Sequence, residues 1–303
     1  MEKNVISGDL AVGVDIGGTN IRAGLVNRNG EVVGRSFALP TKGNDTADSI
    51  IGRIREAINF VLTDREIRHH NILGIGMGVT GPLNVPDGLI LECPQLPSLH
   101  YFPLRAKINE IFQMPVFMNN DADAMILGES LWGSGKGYGL VLGFTLGTGL
   151  GCGIVSDGKI MPGRRDLSGE IWSSPYKDVT IEDFVSGRGI SDLYRKISGQ
   201  TKSALEIGAL GNNGDEEALQ VWYEFGKAFG FALSWTINIL DPDIVVVGGS
   251  ISDSFHLFGK SAHDYAARFS CPSPLALPPL VKATLGNDAG FIGGAALVYE
   301  SLV

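Results

Sequence analysis

Along this chain the apolar residues fall into two regimes. Some form short unbroken runs that end in glycine; others recur every three or four positions over longer stretches. Residues 10–16 form the first run, Gly17-Gly18-Thr19-Asn20 breaks it, and residues 21–26 resume it. Asn29-Gly30 is a tight-turn pair, so residues 32–39 are expected as a third strand. Between residues 46 and 64 the period changes. Ile50, Ile54, Ile58 and Val61 recur at helical spacing, with Thr46 and Asp48 at the start, which predicts an amphipathic helix. Residues 72–79 and 116–118 read as strands, and residues 122–131 as a helix after the second of them.

The opening pattern then repeats. Residues 140–146 are apolar, Gly147-Thr148-Gly149 breaks them, residues 151–155 resume, and Asp157-Gly158 closes a hairpin. Two copies of a strand, glycine turn, strand and tight turn, each followed by helices, predict a duplicated α/β domain. Residues 216–240 form a long helix with two stripes. Ala218, Trp222, Phe225, Phe229 and Ala232 make one, and Leu219, Tyr223, Gly226, Gly230 and Leu233 make the other. A helix apolar or small on both is expected to be buried on two sides. Asp241-Pro242 stops it, and residues 244–247 are a buried strand that ends in Gly248-Gly249-Ser250.

A chain of 303 residues suits two lobes, and 44% hydrophobic against 19% charged residues supports a sizeable core. The 24 Lys and Arg against 33 Asp and Glu leave a net charge of −9. That balance argues against nucleic-acid or anionic-membrane partners, whose affinity comes from basic patches. Phosphate can still be bound through backbone N–H groups and helix ends. The 42 glycines fall in short clusters, as where backbone approaches something closely. Cys93, Cys152 and Cys271 are widely separated, and none of the five histidines stands near one at zinc-ligand spacing. Neither a disulfide framework nor a zinc site is expected. With no signal-peptide pattern and no run of 18 apolar residues, a cytoplasmic protein is expected.

Four segments carry candidate chemistry. In Asp15-Ile16-Gly17-Gly18-Thr19-Asn20 the glycines let the backbone turn sharply and aim N–H groups at a phosphate, while Thr19 adds a hydroxyl. Asp15, at a strand end, suits a magnesium ion held through water. Alone, this segment also fits a plain hairpin turn. Gly147-Thr148-Gly149-Leu150-Gly151 has the same character, and two such turns from duplicated lobes could grip a polyphosphate across a cleft. Gly248-Gly249 offers a further close approach, for a nucleotide's sugar or base, or a simple strand-to-helix corner. Asn119-Asn120-Asp121-Ala122-Asp123 stands where a strand gives way to a helix, where side chains project into ligand sites. Asn120 suits sugar hydroxyls, and Asp121 could take a proton from a hydroxyl attacking phosphate. Either residue could instead cap the helix. Glu170, after Ser168-Gly169, and Glu182 form a carboxylate pair for sugar hydroxyls, though Glu182 also suits the first turn of a helix.

Taken together, DIGGTNIRAGLV at 15–26, GVTGP at 78–82, NNDADAMILGE at 119–129 and LGTGLGCGIV at 146–155 resemble the ROK family. So do SGE at 168–170, LDPDIVVVGGSIS at 240–252 and GNDAGFIGGAAL at 286–297. That family groups repressors, uncharacterised open reading frames and sugar kinases on the actin/hexokinase-like (ribonuclease H-like) ATPase fold. The resemblance implies a duplicated two-lobe α/β chain with an interlobe cleft, with lobes expected at residues 1–120 plus 288–303 and at 121–287. It implies Mg-ATP as donor, a hexose or amino-hexose as acceptor, and a homodimer. Asp121 matches the family's catalytic base; Asn120, Gly81, Glu170 and Glu182 match its sugar-binding positions. Asp15, Gly17, Gly18, Thr19, Asn20, Thr148, Gly149, Gly248 and Gly249 match its ATP and phosphate positions.

The chain departs from the family's zinc pattern. Ser173 stands where many members carry a histidine that touches both sugar and zinc, and Thr180-Ile181-Glu182 replaces a cysteine segment. No structural zinc is expected; Trp172 could pack on a sugar ring or fill the core, and core filling in place of the metal is the expectation. The repressor branch carries a helix-turn-helix before DIGGTN, and the 14 residues before Asp15 disfavour it. The sequence therefore predicts an ATP-dependent kinase acting on a hexose hydroxyl, the 6-OH of glucose or a similar hexose. An N-acylhexosamine kinase is the alternative among enzymes, and a non-catalytic sugar-sensing protein the alternative outside them.

Overall fold

Short apolar strands and amphipathic helices alternate as the pattern requires. The computed structural model describes residues 8–64, 70–271 and 277–302. The elements are β1 (Asp9–Ile16), β2 (Asn20–Asn27), β3 (Val32–Pro40), α1 (Ala47–Leu62), β4 (Asn71–Val79), a small hairpin of β5 (Leu83–Asn84) and β6 (Leu89–Ile90), α2 (Leu104–Phe112), β7 (Val116–Asn120) and α3 (Asp121–Trp132). After them come β8 (Leu140–Leu146), β9 (Leu150–Ser156), β10 (Lys159–Ile160), β11 (Pro175–Tyr176), β12 (Val179–Thr180), α4 (Gly187–Ser198), α5 (Ala204–Asn212), α6 (Glu216–Leu240), β13 (Ile244–Gly248), α7 (Phe255–Phe269), β14 (Leu280–Lys282) and α8 (Ala289–Glu300).

Tertiary contacts divide the chain into two units. One is Met1–Gly137 with Val155–Ser168 and Thr284–Val303; the other is Tyr138–Ile154 with Gly169–Ala283. The sequence had set its lobe break before Asp121; by contacts α3 groups with the first unit, against α8.

The first unit is built on a sheet ordered β3-β2-β1-β4-β7, antiparallel from β3 to β1 and parallel from β1 to β7. Thr46 caps α1 by accepting the Ser49 N–H at 3.3 Å, and Ile50, Ile54, Ile58 and Val61 are all fully buried. That matches the predicted helix position by position. On the other side α8 lies directly on the sheet because small residues remove the space between them. A β-carbon at Gly13 or Gly76 would collide with the carbonyl of Phe291 or Gly294, and one at Gly293 with that of Ala124. Glu129, fully buried at the end of α3, accepts N–H bonds from Ser134 (2.8 Å), Thr284 (3.2 Å) and Leu285 (2.8 Å). It fastens the chain that leads into α8. At the far end of α8, Glu300 accepts the N–H of Ile160 at 3.0 Å, which draws the β10 hairpin into this unit.

The second sheet repeats the first as β10-β9-β8-β13-β14, with β8, β13 and β14 parallel. Its core is aromatic. Phe144 of β8 meets Phe229 of α6 edge-on at 5.1 Å, and Phe225 meets Phe258 of α7 at 5.1 Å. The first stripe of α6 is buried throughout, from Ala218 to Ala232. The second is buried only in part. Gly226 and Gly230 receive the backbone of α7 at Phe258 and Ala262, whereas Leu219 and Tyr223 are 40% and 55% exposed. Cover on that side therefore begins at Gly226, which corrects the expectation of burial along both stripes. Among the described residues no helix is long and apolar enough to cross a membrane.

Candidate active site

In the first unit, three parallel strands deliver candidate residues to one sheet edge. Asp15 near the end of β1 pairs with Gly78 of β4, and Gly78 and Val79 pair with Asn119 and Asn120 of β7. Asp15, Gly81 and Asn120-Asp121 thus sit at the carboxyl ends of adjacent strands, where open α/β sheets bind ligands. Asn120 is the N-cap of α3, its Oδ1 accepting the Ala122 N–H at 2.8 Å. Asp121 is the first helical residue, and its Oδ1 accepts the same N–H at 2.9 Å. Gly81, joined to Pro82 by a cis peptide, leaves room for the Asn120 Nδ2.

The Asp15 carboxyl is pushed up to about 7, first by burial, then by the negative charge of Asp121, with Arg22 opposing. Two acidic groups therefore share one low-dielectric region, and ionising both is costly. Arg22 donates to the Asn287 carbonyl at 2.6 Å, and Gly290 lacks a β-carbon where the Asp15 carboxylate lies. Arg22 and Gly290 belong to this site although the sequence reading gave them no role. Their only signal was membership in the DIGGTNIRAGLV and GNDAGFIGGAAL segments. This donor set fits a hard divalent cation that keeps most of its water, since two half-buried carboxyl groups offer oxygen donors there and a cation would ease the cost of ionising both. Among the described residues no group of three or more His, Cys, Asp and Glu forms a metal cage.

The first glycine turn, residues 17–20, is closed by the Gly17 N–H on the Asn20 carbonyl at 3.0 Å. Thr41 braces it, donating through its hydroxyl to the Gly17 carbonyl at 2.6 Å and through its N–H to the Thr19 carbonyl at 2.8 Å. The N–H groups of Gly18 and Thr19 have no protein acceptor among the described residues, so both are available to an anion. Gly17 and Gly18 do not have positive φ. Gly18 is instead required by space, because the Gln95 side chain fills the place of its β-carbon. The expected sharp turn is present between β1 and β2, but it draws on no positive φ at either glycine.

The second unit carries the matching turn between β8 and β9. Gly147 donates to the Gly149 carbonyl at 3.0 Å and accepts the Gly187 N–H at 2.8 Å, while Thr148 is exposed. Glu182 lies against this turn. Its Oε2 accepts the Leu150 N–H at 2.9 Å, and a β-carbon on Gly149 would run into it. Gly248 ends β13 paired with Thr145, and Gly249, at φ +80°, rests on the backbone of Leu146. Thr148, Gly149, Gly248 and Gly249 are thereby gathered at one end of this sheet. Glu170 begins a short 3-10 turn (Ile171–Ser173) and accepts the indole N–H of Trp172 at 2.5 Å. Trp172 is 44% exposed. The expectation that it fills the core is overturned; Ile171 is the buried member of that turn.

The profile of the ROK family matches residues 11–301. A glucokinase of Halalkalibacterium halodurans is 30% identical over 314 residues, covering 95% of this chain and 94% of that protein. An N-acetyl-D-glucosamine kinase of Shigella boydii is 30% identical over 308 residues, covering 95% and 98%. Among solved structures, a ROK family glucokinase from Streptomyces griseus in complex with glucose and AMPPNP superposes with a TM-score of 0.84 at 26% identity. It covers 96% of this chain and 99% of that one.

Proposed function

The chain belongs to the ROK family, and from that premise we propose an ATP-dependent sugar kinase that phosphorylates the 6-OH of glucose or a similar hexose. The observation that carries this reading is the Asp121 carboxylate, pinned through Oδ1 at the start of α3 and close enough to Asp15 to raise its pKa. A base must be fixed in direction, and the bond from the Ala122 N–H to Oδ1 supports that role for Asp121.

In this mechanism the acceptor hydroxyl gives its proton to Asp121 as its oxygen bonds to the γ-phosphorus. The bond from that phosphorus to the β–γ bridging oxygen breaks, and ADP leaves. Asn120 and Glu170 orient the sugar through an amide and a carboxylate, two groups suited to hydroxyls. The free N–H groups of Gly18 and Thr19 and the exposed Thr148 suit phosphate oxygens. Asp15 would hold magnesium through water, and the ion would supply neutralisation of phosphate charge. We assign Glu182 to the second glycine turn, as the acceptor for Leu150 N–H.

Release of ADP from ATP, measured over a panel of hexoses and amino-hexoses, tests the reading. Sugar-dependent turnover supports it, and no turnover with any sugar would leave a sensor. N-Acetylglucosamine belongs in that panel, because relatives named glucokinase and N-acetyl-D-glucosamine kinase are equally similar to this chain.

A further inference from the structure

The segment from Gly169 to Ser174 is a rigid presenting turn. Gly169, at φ +84°, has no β-carbon because the Cys152 carbonyl occupies its place. Ile171 is buried in the core of the second unit, and its N–H is bonded to the Gly169 carbonyl at 2.6 Å. Ser174 donates back to the Ile171 carbonyl at 2.8 Å and accepts the Ile181 N–H at 2.9 Å. Anchored at both ends and through Ile171, the turn holds Trp172 and Ser173 exposed and Glu170 half-buried.

An indole offers a flat apolar surface with one polar edge, and Trp172 is 44% exposed. Its N–H is spent on Glu170, while its ring has no aromatic or cationic partner among the described residues. One oxygen of Glu170 is thereby oriented by the indole, and the other has no partner among the described residues. A carboxylate held beside an uncovered aromatic ring is complementary to a pyranose, which presents hydroxyls at its rim and a flat C–H face.

We propose that Trp172 is a specificity-determining residue of the acceptor half-site: its indole N–H positions the Glu170 carboxylate, and its ring receives the C–H face of the sugar. The inference deepens the kinase reading above and rests on it. It also names the class of acceptor favoured, pyranoses whose hydroxyls are equatorial, because an axial hydroxyl interrupts the face that meets the ring.

Trp172→Phe and Trp172→Ala separate the two contributions, since Phe keeps a flat ring and removes the N–H. Steady-state kinetics on both, with intrinsic fluorescence on adding glucose without ATP, form the test. In W172F the KM for glucose rises about tenfold, as expected for losing one hydrogen bond to a charged group. Its kcat and its KM for ATP stay within about twofold of wild type, because the residue acts through Glu170 and the sugar only. W172A loses more, and loses more kcat/KM toward glucose than toward allose. Glucose changes the emission of the wild type but not that of W172F, in which Trp132, Trp222 and Trp235 remain. A wild-type KM for glucose in both variants, or an undiminished emission response in W172F, overturns the proposal. Should the wild type phosphorylate no sugar, the kinase reading falls by itself. The emission titration then decides on Trp172 alone: a response lost in W172F keeps the half-site, and no response removes it.

Discussion

The Ala122 N–H is shared by Asn120 and Asp121, and that sharing decides what replacing Asp121 does. In Asp121→Asn an amide oxygen can still accept the bond and Asn120 still caps α3, so the fold stays intact. What disappears is the proton acceptor, and turnover falls by about 10²–10⁴-fold with an unchanged urea midpoint. Near-wild-type turnover in the folded variant would move the base elsewhere. Glu182 provides a second test at this scale. Twelve residues after Glu170, it reads in the sequence as half of a sugar-binding pair, and nothing local could reveal a bond to Leu150, 32 positions away. Glu182→Ala leaves that N–H without its acceptor and loosens the turn that carries Thr148. The KM for ATP rises more than the KM for sugar; the reverse order would return Glu182 to the sugar. Trp172 shows the same limit. Its residue type pointed to core filling, and only the buried neighbour Ile171 and the geometry of the turn show that it faces out.

Elements were legible where one face meets one core. The isoleucines of α1 are all buried, and the predicted strands at 72–79 and 244–247 correspond to β4 and β13 within a residue at each end. The second stripe of α6 was misread because glycine is neutral in such a pattern. At Gly226 and Gly230 it marks where α7 approaches closely, while Leu219 and Tyr223 lie beyond that cover. The glycines of α8 have the same meaning, and Gly76→Ala tests it. A β-carbon there meets the Gly294 carbonyl, a backbone atom that cannot swing aside. The variant loses roughly 1–3 kcal/mol, read as a lower urea midpoint at unchanged slope. The other end of α8 carries a pH effect. Burial pushes the Glu300 carboxyl above the ordinary glutamate range, against the Ile160 N–H and the Lys159 charge. The folded state then binds more protons than the unfolded state between those two values, so this group's contribution to stability is present below them and is lost as pH rises. Glu300→Gln keeps an acceptor for Ile160 and removes the titration. Its urea midpoint relative to wild type therefore rises as pH is raised from 4 toward 7. A difference independent of pH would show that burial of this carboxylate costs nothing.

At the scale of the whole chain, duplication was legible because both copies keep the same signals, a glycine turn between two apolar runs and a tight turn after them. The sheets follow the same order, β3-β2-β1-β4-β7 and β10-β9-β8-β13-β14. The division into units was less legible, since it depends on where α3 and the β10 hairpin find their contacts rather than on chain position. What the chain needs from metal ions follows from its donors. Cys93 and Cys152 are buried in different units, Cys271 is exposed, and exposed Ser173 and half-buried Thr180 stand where the family resemblance implies zinc ligands. A structural zinc takes four Cys or His ligands in tetrahedral array, and it contributes directly to folding stability. The core around Ile171 and Ile181 contributes in this region through apolar burial instead. A chelator should therefore leave the thermal midpoint unchanged while it abolishes phosphoryl transfer, and added magnesium alone should restore activity. Elemental analysis of the purified protein should find well below one zinc per chain. About one zinc per chain, together with a midpoint that falls on chelation, would mean that ligands outside this segment have rebuilt the site.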